Sequence, residues 1–208
     1  DLLNIGIKIK KRYYITFGIR ERNDLNLFYT RSLFALGYKG NTQYEGEWVS
    51  LKGNGLQFNH FREYSLGISK IVDEYTSYGI RAKLLFGKLN LKTTKEDISL
   101  FTEVSTFNLF LQSDFRFDAS LPISLDSTDG NLRPDTEYYP VDPLEMIINR
   151  QNMGFAVDAG FIYQFDERTT LQGSLLDLGF IPYRSYLTNY SVEGEFPYGG
   201  PLGDTIIT

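Results

Sequence analysis

The sequence has no cysteine and only one histidine, His60, among its 208 residues. Without cysteine there is no disulfide framework, no thiolate chemistry and no cysteine-ligated metal site. A catalytic triad would have to use His60, which lies near the end of a predicted strand, so we expect a structural or surface role for it. A histidine-rich metal site is excluded. No apolar run approaches the roughly 20 residues that a transmembrane helix needs.

A basic excess is also missing, because the formal net charge is −5. We therefore expect no nucleic-acid partner. Proline is sparse, with seven residues, whereas aromatic residues are abundant, with 15 tyrosines and 16 phenylalanines.

The stretch Gly154–Tyr183 predicts two strands joined by a tight polar turn. The first strand alternates between an aromatic, apolar face and a wetter face that carries Asp158, Gly160 and Gln164, which is the period of a β-strand. The same alternation predicts further strands at Leu3–Ile9, Tyr13–Arg20, Leu56–Ile71, Tyr78–Gly87, Ile98–Glu103, Phe107–Phe117 and Leu187–Phe196. We also predict a polar loop at Lys92–Asp97, a short helix at Arg31–Tyr38 and a helical turn at Pro143–Asn149.

Two features of this pattern indicate a membrane barrel. Tight turns alternate with longer loops, as in up-and-down transmembrane barrels. Charged residues occupy the wetter faces in mid-strand, and we expect them to face a lumen: Lys8, Arg20, Glu63, Arg81, Lys83, Asp114, Arg116 and Asp158. A soluble barrel would place the apolar face inside instead, but the aromatic share favours the membrane alternative. The prediction is an all-β, antiparallel transmembrane barrel of about nine strands, with short helical pieces in its long loops.

Several short motifs resemble a family of outer-membrane β-barrels of unknown function from Bacteroidota. The matching segments are Gly154–Gly160, Leu176–Ile181, Arg62–Gly67 with Gly79–Lys83, and Leu33–Leu36 with Gly40-Asn41. The family is loosely akin to fatty-acid-transporter-like and type IX secretion-associated barrels, and it supplies no site residues to carry over. Such barrels usually end in an aromatic residue, whereas this sequence ends Asp204–Thr208. Barrels of one bacterial chain also have even strand numbers, so we expect residues 1–208 to be a single domain that is part of a longer barrel.

Carboxylates are the remaining candidates for chemistry. One loop carries five carboxylates: Asp126, Asp129, Asp135, Glu137 and Asp142. Calcium prefers such oxygen ligands, but a solvated acidic loop is the favoured interpretation. Asp158 and Asp177 lie on adjacent predicted strands, as a glycosidase pair would. We favour a hydrogen-bonded, lumen-facing Asp158 and an Asp177 that organises a turn. We predict no enzyme activity, no cofactor and no metal.

The predicted hairpin of the third and fourth strands gives a register. Folding it about residue 73 places Glu63 directly across from Lys83, with Arg81 on the diagonal. The partners expected for the whole chain are the lipid bilayer of the bacterial outer membrane and other envelope proteins. A structural or accessory role in an envelope assembly is the first prediction, and a conduit for hydrophobic or small polar solutes is the second. A soluble, secreted glycan-binding protein that uses tyrosines and Trp48 is the third.

Overall fold

The computed structural model describes residues 1–104, 108–121, 124–126, 133–135 and 148–198. Its strands are β1 (Leu3–Ile9), β2 (Tyr13–Phe28), β3 (Trp48–Ser50), β4 (Gly55–Ile71), β5 (Thr76–Thr102), β6 (Leu109–Ser120), β7 (Ser124–Asp126), β8 (Arg133–Asp135), β9 (Met153–Gln164), β10 (Thr170–Phe180) and β11 (Leu187–Tyr198). The helical pieces are α1 (Arg31–Lys39) and a 3₁₀ helix at Thr42–Tyr44. In these ranges no helix is long and apolar enough to cross a membrane.

The chain is all-β, with 70% of it in strands and 7% in helices. Nine strands form one antiparallel sheet in the order β1-β2-β4-β5-β6-β11, and β3 and β9 also pair with β5. β10 pairs with β9, while β7 and β8 form a separate two-stranded sheet. The nine-stranded sheet is not closed into a barrel. Among the described strands, β1 pairs only with β2 and β10 only with β9, so each leaves one edge free.

Two sequence predictions on strands and helices need comment. The helix predicted at Arg31–Tyr38 is confirmed as α1, but the polar loop predicted at Lys92–Asp97 is wrong. β5 runs without interruption from Thr76 to Thr102 and includes these residues. Its polar middle is held by the neighbouring strand β4, since the Thr93 hydroxyl accepts a hydrogen bond from the Leu56 N–H at 3.0 Å. A strand that is polar on both faces lacks the alternation by which sequence patterns identify strands.

The predicted helical turn at Pro143–Asn149 and the acidic loop Asp126–Asp142 fall mostly outside the described residues. Of the five carboxylates in that loop, only Asp126 and Asp135 lie in described strands, β7 and β8. The calcium interpretation of this loop therefore stays a prediction.

The described chain forms two compact units. Unit 1 comprises residues 1–23, 59–89 and 120–186, and unit 2 comprises residues 24–58, 90–119 and 187–208. Unit 1 contains β1, β9 and β10 with the adjoining parts of β2, β4 and β5. Unit 2 contains α1, β3, β11 and most of β6.

The sheet of unit 1 is strongly curved. A guanidinium nitrogen of Arg22 on β2 lies 3.0 Å from a carboxylate oxygen of Asp177 on β10, although β4, β5 and β9 lie between these strands. Four strand spacings in a flat sheet would separate the two backbones by about 19 Å, which no pair of side chains spans. β2 and β10 therefore approach each other across a concave face.

The two faces of this curved sheet have inverted polarity. On β5, Lys83 points to the concave face and its side chain is 4% exposed, whereas Ile80 on the convex face is 62% exposed. Many other large apolar side chains on the convex face are exposed, among them Ile5, Ile7, Leu66, Ile68, Leu84, Phe155, Val157, Phe161 and Leu178. The prediction of one charged and one apolar face is thus confirmed for unit 1.

In unit 2, hydrogen bonds fix both ends of the helix α1. The Thr30 hydroxyl caps the helix by accepting the Leu33 N–H, and Gly40 ends it with a φ of 76°. Asn54 holds the start of the helix, because its side-chain oxygen accepts the Thr30 N–H at 2.7 Å. Nearby, Trp48 of β3 pairs with Phe101 of β5, their rings 5.3 Å apart. Residues Trp48–Ser50 are therefore extended and paired with β5.

Candidate functional site

Six charged side chains converge on the concave face of unit 1, and we call them the six-charge cluster. They come from five neighbouring strands and comprise Arg22 of β2, Glu63 of β4, Arg81 and Lys83 of β5, Asp158 of β9 and Asp177 of β10. Side chains alternate between the two faces of a strand, so each strand delivers one or two of these groups to the same side. Three cations face three anions, and the cluster is electrically balanced.

Lys83 lies at the centre of the cluster. Its Nζ is 2.7 Å from Asp158 Oδ1 and 2.5 Å from Asp177 Oδ1. The amine is thus held by two carboxylates from two strands. A buried charge is tolerated only when it is paired and hydrogen-bonded, and this arrangement meets that condition for Lys83.

A β-bulge brings Asp177 into the cluster. The pairing of β9 with β10 shifts between Leu175 and Leu178, and Asp177 has a φ of 56°. Its backbone N–H donates a hydrogen bond to Asp158 Oδ1 at 2.8 Å. Bulges turn a side chain away from the regular alternation, and here the bulge directs a carboxylate to Lys83 and Arg22. The sequence prediction that Asp177 organises a turn is therefore wrong.

Glu63 is the most deeply enclosed member of the cluster. Its side chain is 0% exposed, and neither of its carboxylate oxygens has a hydrogen-bond partner among the described residues. The nearest cationic atoms are Arg22 Nη1 at 3.6 Å and Lys83 Nζ at 4.0 Å from Oε2. Glu63 is thus neutralised by charge at short range but not by direct hydrogen bonds.

The register of β4 and β5 differs from the sequence prediction. Glu63 and Lys83 share a face, as predicted, but they are not directly opposite each other. The Val72 N–H donates to the Thr76 carbonyl at 2.9 Å, which centres the turn on residue 74 instead of 73. Counting back along both strands places Lys83 opposite Ser65. Lys83 therefore reaches Glu63 diagonally, which explains the 4.0 Å distance.

Two cavities adjoin the cluster on the concave face. The first, of about 730 Å³, is lined by small and polar groups that include Ser69, Ser77, Gly160, Gln172 and Ser174. The second, of about 310 Å³, shares some of these residues and adds Thr16, Gly67, Arg81 and Asp158. The guanidinium of Arg81 lies 3.6 Å from Asp158 Oδ2 and is about one third exposed. Arg81 and Asp158 of the cluster thus line the second cavity, beside apolar groups that include Ile68 and Leu176.

Beyond the cluster, the concave face becomes apolar and is covered by a strap, which we define as residues 181–186. Ile181 packs against the small core of Phe61, Leu85 and Ala156. Asn152, which is fully buried, holds the strap, because its side-chain oxygen accepts the N–H groups of Arg184 and Ser185 at 2.7 and 3.0 Å. The amide of Asn152 donates to the Gly87 carbonyl and to the Ser120 hydroxyl, both at 3.4 Å.

His60 belongs to a separate group on the convex face. Glu21 accepts from His60 Nε2 at 2.9 Å and from Arg62 Nε at 2.7 Å, and it also contacts Lys88 Nζ. The imidazole therefore lies in an ion-pair network. The structural role predicted for His60 fits this contact, although the effect of its removal is still a prediction. The described residues contain no group of three or more side chains suited to a metal ion.

The eight predicted lumen-facing residues divide into two sets. The structure brings four of them together in the six-charge cluster: Glu63, Arg81, Lys83 and Asp158. The others lie elsewhere: Lys8 is exposed on β1, Arg20 pairs with Asp1 at 2.8 Å, Asp114 pairs with Lys95, and the carbonyl of Arg116 accepts the Thr94 hydroxyl. Asp114 and Arg116 belong to unit 2.

Sequence reasoning missed two members of the cluster, Arg22 and Asp177. For Arg22 a signal was present, since it follows Arg20 at the period of a strand, but the predicted strand ends at Arg20 whereas β2 runs to Phe28. For Asp177 the signal was weaker. The consecutive apolar residues Leu175 and Leu176 break the alternation, and such a break marks a bulge.

Residues 1–201, almost the full length of the chain, match a family of unknown function. Neither the curated proteins nor the solved structures contain a significant match. The match to the family covers far more than half of the sequence, and the chain therefore belongs to the family of unknown function DUF5723.

Proposed function

We propose that this chain forms the wall of an outer-membrane β-barrel and acts as a structural or accessory component of a cell-envelope assembly. The observation that carries the proposal is the inverted polarity of unit 1. Six charged groups lie on the concave face, whereas large apolar side chains remain exposed on the convex face. In water this arrangement leaves far more exposed apolar surface than a soluble protein normally carries. A lipid environment accounts for both faces.

The dimensions of the apolar face support the same interpretation. On β9, the alternate residues from Phe155 to Tyr163 present exposed apolar side chains over nine residues, with only Ala159 small. A tilted strand crosses the hydrocarbon core in about 9–11 residues. Past this band, the convex face carries the ion pairs of Glu21 with His60, Arg62 and Lys88. A change from apolar to charged side chains is expected where strands leave the hydrocarbon.

The interior favours a structural role over an open conduit. Lys83 is bound by two carboxylates, and the strap held by Asn152 covers the concave face beyond the cluster. Paired charges and a covered end oppose the passage of solutes through unit 1. Barrel closure requires partners for the free edges of β1 and β10, which a barrel wall within a larger assembly would obtain from neighbouring strands.

A conduit for small polar solutes is the second candidate, and one observation favours it. The cavity of about 730 Å³ is lined by serine hydroxyl groups and the amide of Gln172 together with apolar groups such as Ile71 and Ile162, and its volume is that of a small-molecule site. Transport would require the pairs of the six-charge cluster to open. The third prediction, a secreted glycan-binding protein, would require the exposed apolar face to be stable in water.

Membrane extraction separates these functions. We expect the protein to remain in the membrane fraction after carbonate and high-salt washes, to need detergent for solubility, and to co-purify with envelope proteins in fixed ratio. Release into buffer as a monodisperse protein would refute the membrane proposal. Solute flux through vesicles that contain the purified protein, with no co-purifying partner, would replace the accessory role with the conduit.

A further inference from the structure

The helix α1 carries an apolar surface that no described part of the chain covers. Tyr29, Leu33, Phe34 and Tyr38 form this surface, which we call the α1 patch. Phe34 is 61% exposed and Tyr38 is 89% exposed, and the Tyr29 and Phe34 rings pack edge to face at 4.9 Å. Residues 34 and 38 are one turn apart and lie on the same side of the helix, whereas Leu33 lies about 100° around the helix axis from Phe34.

The opposite side of α1 is partly buried within unit 2. Ser32, Ala35 and Leu36 are half-buried, whereas the residues of the patch are exposed. Thr30 caps the helix and is itself held by Asn54. The patch is therefore displayed by a supported helix of nine residues and not by a mobile loop.

The charge of α1 indicates which kind of surface the patch fits. The helix has a cation at each end, Arg31 and Lys39, and no acidic residue in its sequence RSLFALGYK. An apolar face rich in aromatic residues, on a helix whose charged side chains are all cations, is the pattern of helices that lie in a membrane interface. Aromatic side chains concentrate at the headgroup level, and cations are attracted to anionic headgroups.

We propose that α1 docks onto the surface of a bilayer that carries anionic headgroups, with the α1 patch inserted at headgroup depth. This inference rests on the proposed membrane location of the chain. A second copy of the chain would bury the same apolar groups, but it would bring the cations of another α1 to this surface. The helix itself offers no carboxylate to offset them.

The cysteine-free sequence allows a direct test. Single variants F34C and Y38C are labelled with bimane in the full chain, which is then reconstituted in vesicles of phosphatidylcholine alone or mixed with phosphatidylglycerol. Lipids with a spin label at headgroup depth quench a docked probe. Q43C, an exposed polar site shortly after α1, is the matched control, and I80C reports on insertion of the convex face.

We expect quenching at residues 34 and 38 but not at 43, and stronger quenching in the anionic vesicles. Replacing Arg31 or Lys39 by Gln should lower the ratio of docked to undocked helix about fivefold for each cation. Quenching at residue 80 without quenching at 34 and 38 would overturn the docking of α1 and leave the membrane location intact. No quenching at any site would overturn both. Equal quenching in the two lipid mixtures would overturn the anionic surface, and shielding that depends on protein concentration but not on lipid would assign the patch to a second copy.

Discussion

The backbone N–H of Asp177 donates a hydrogen bond of 2.8 Å to the carboxylate of Asp158 at the irregular step in the β9–β10 pairing. The same Asp158 oxygen lies 2.7 Å from Lys83 Nζ. The Asp158 carboxylate on β9 thus binds both the bulge of β10 and the Lys83 amine of β5, the two strands that flank β9. Because the bulge and the ion pairs share this atom, we expect each to depend on the other.

Substitutions at Asp177 separate the contribution of its carboxylate charge from that of the backbone conformation at the bulge. Asp177→Asn keeps a residue that tolerates positive φ but removes the charge, and we expect a loss of about 1–2 kcal/mol in the free energy of unfolding. Asp177→Val should cost about 1–2 kcal/mol more, because a β-branched residue is strained at a φ of 56°. Denaturant titration of the protein in detergent measures both. Equal losses for the two variants would show that the bulge does not retain its backbone conformation.

Removal of Lys83 tests the centre of the cluster. Lys83→Met leaves the carboxylates of Asp158, Asp177 and Glu63 without their shared cation, and uncompensated buried charges typically cost about 3–5 kcal/mol. Lys8→Met is the matched control, because Lys8 points to the same side of the sheet but is exposed, and its loss should stay within about 0.5 kcal/mol. Similar losses for the two variants in denaturant titrations would contradict the central role of Lys83.

Strand alternation predicted the two faces of unit 1 correctly, because a strand that borders two different environments must place like residues at every second position. It identified Glu63, Arg81, Lys83 and Asp158 as members of one face for this reason. It did not predict the bulge at Asp177, since the break in alternation at Leu175 and Leu176 does not show how the extra residue pairs with the neighbouring strand. It also misplaced the β4–β5 turn by one residue, because polar residues surround the turn and several positions fit it equally well.

Contacts between distant segments could not be predicted from the sequence either. The strap over the concave face depends on Asn152, which lies about 30 residues before Arg184 and is preceded by a polar, proline-containing segment. Nothing in a single asparagine indicates four hydrogen bonds to remote groups. The continuity of β5 through Lys92–Asp97 was hidden for a related reason, since its polar side chains are matched by partners on adjacent strands.

Ile80→Arg discriminates between water and lipid at the convex face. Ile80 is 62% exposed, so in an aqueous protein the change should alter stability by no more than about 0.5 kcal/mol. Facing lipid near the midplane, the same arginine should cost about 2–4 kcal/mol. Unfolding from phosphatidylcholine vesicles measures the difference.

The control for Ile80→Arg is Gln172→Arg, at an exposed position that lines the larger cavity. Gly79, the neighbour of Ile80 on the concave face, is unsuitable because a Cβ there would lie 3.1 Å from the Cβ of Ser69. We expect Gln172→Arg to be tolerated. A neutral Ile80→Arg would argue against contact with lipid, and equal damage from both variants would argue against two distinct faces.

The β9–β10 turn should weaken in acid. Asp166 Oδ1 accepts the N–H groups of Arg168 and Thr169, both at 2.7 Å, and these bonds, the one from Arg168 first, hold the pKa of Asp166 below its usual value of 3.8. Because the folded pKa is lower than the unfolded one, the carboxylate stabilises the fold above the unfolded pKa, and this contribution is lost as the pH falls through the folded pKa.

Asp166→Ala should therefore lower the denaturation midpoint at neutral pH. The difference in denaturation midpoint between the native protein and the variant should shrink progressively once the pH falls below about 4. Glu167→Ala, at the neighbouring exposed carboxylate, controls for a general effect of charge on the turn. A difference in midpoint that is the same at neutral and acidic pH would mean that the carboxylate charge does not stabilise this turn.

Asn152→Ala should release the strap. The change removes the acceptor for the N–H groups of Arg184 and Ser185, and leaving the buried Ser185 donor without a partner costs about 1–3 kcal/mol. Trypsin cleavage after Arg184, followed by mass spectrometry, should become faster because cleavage requires a locally opened chain. Asn4→Ala, at an exposed position on β1, should leave the cleavage rate unchanged. If Asn152→Ala destabilised the protein without faster cleavage after Arg184, Asn152 would support the sheet beneath the strap and not the strap itself.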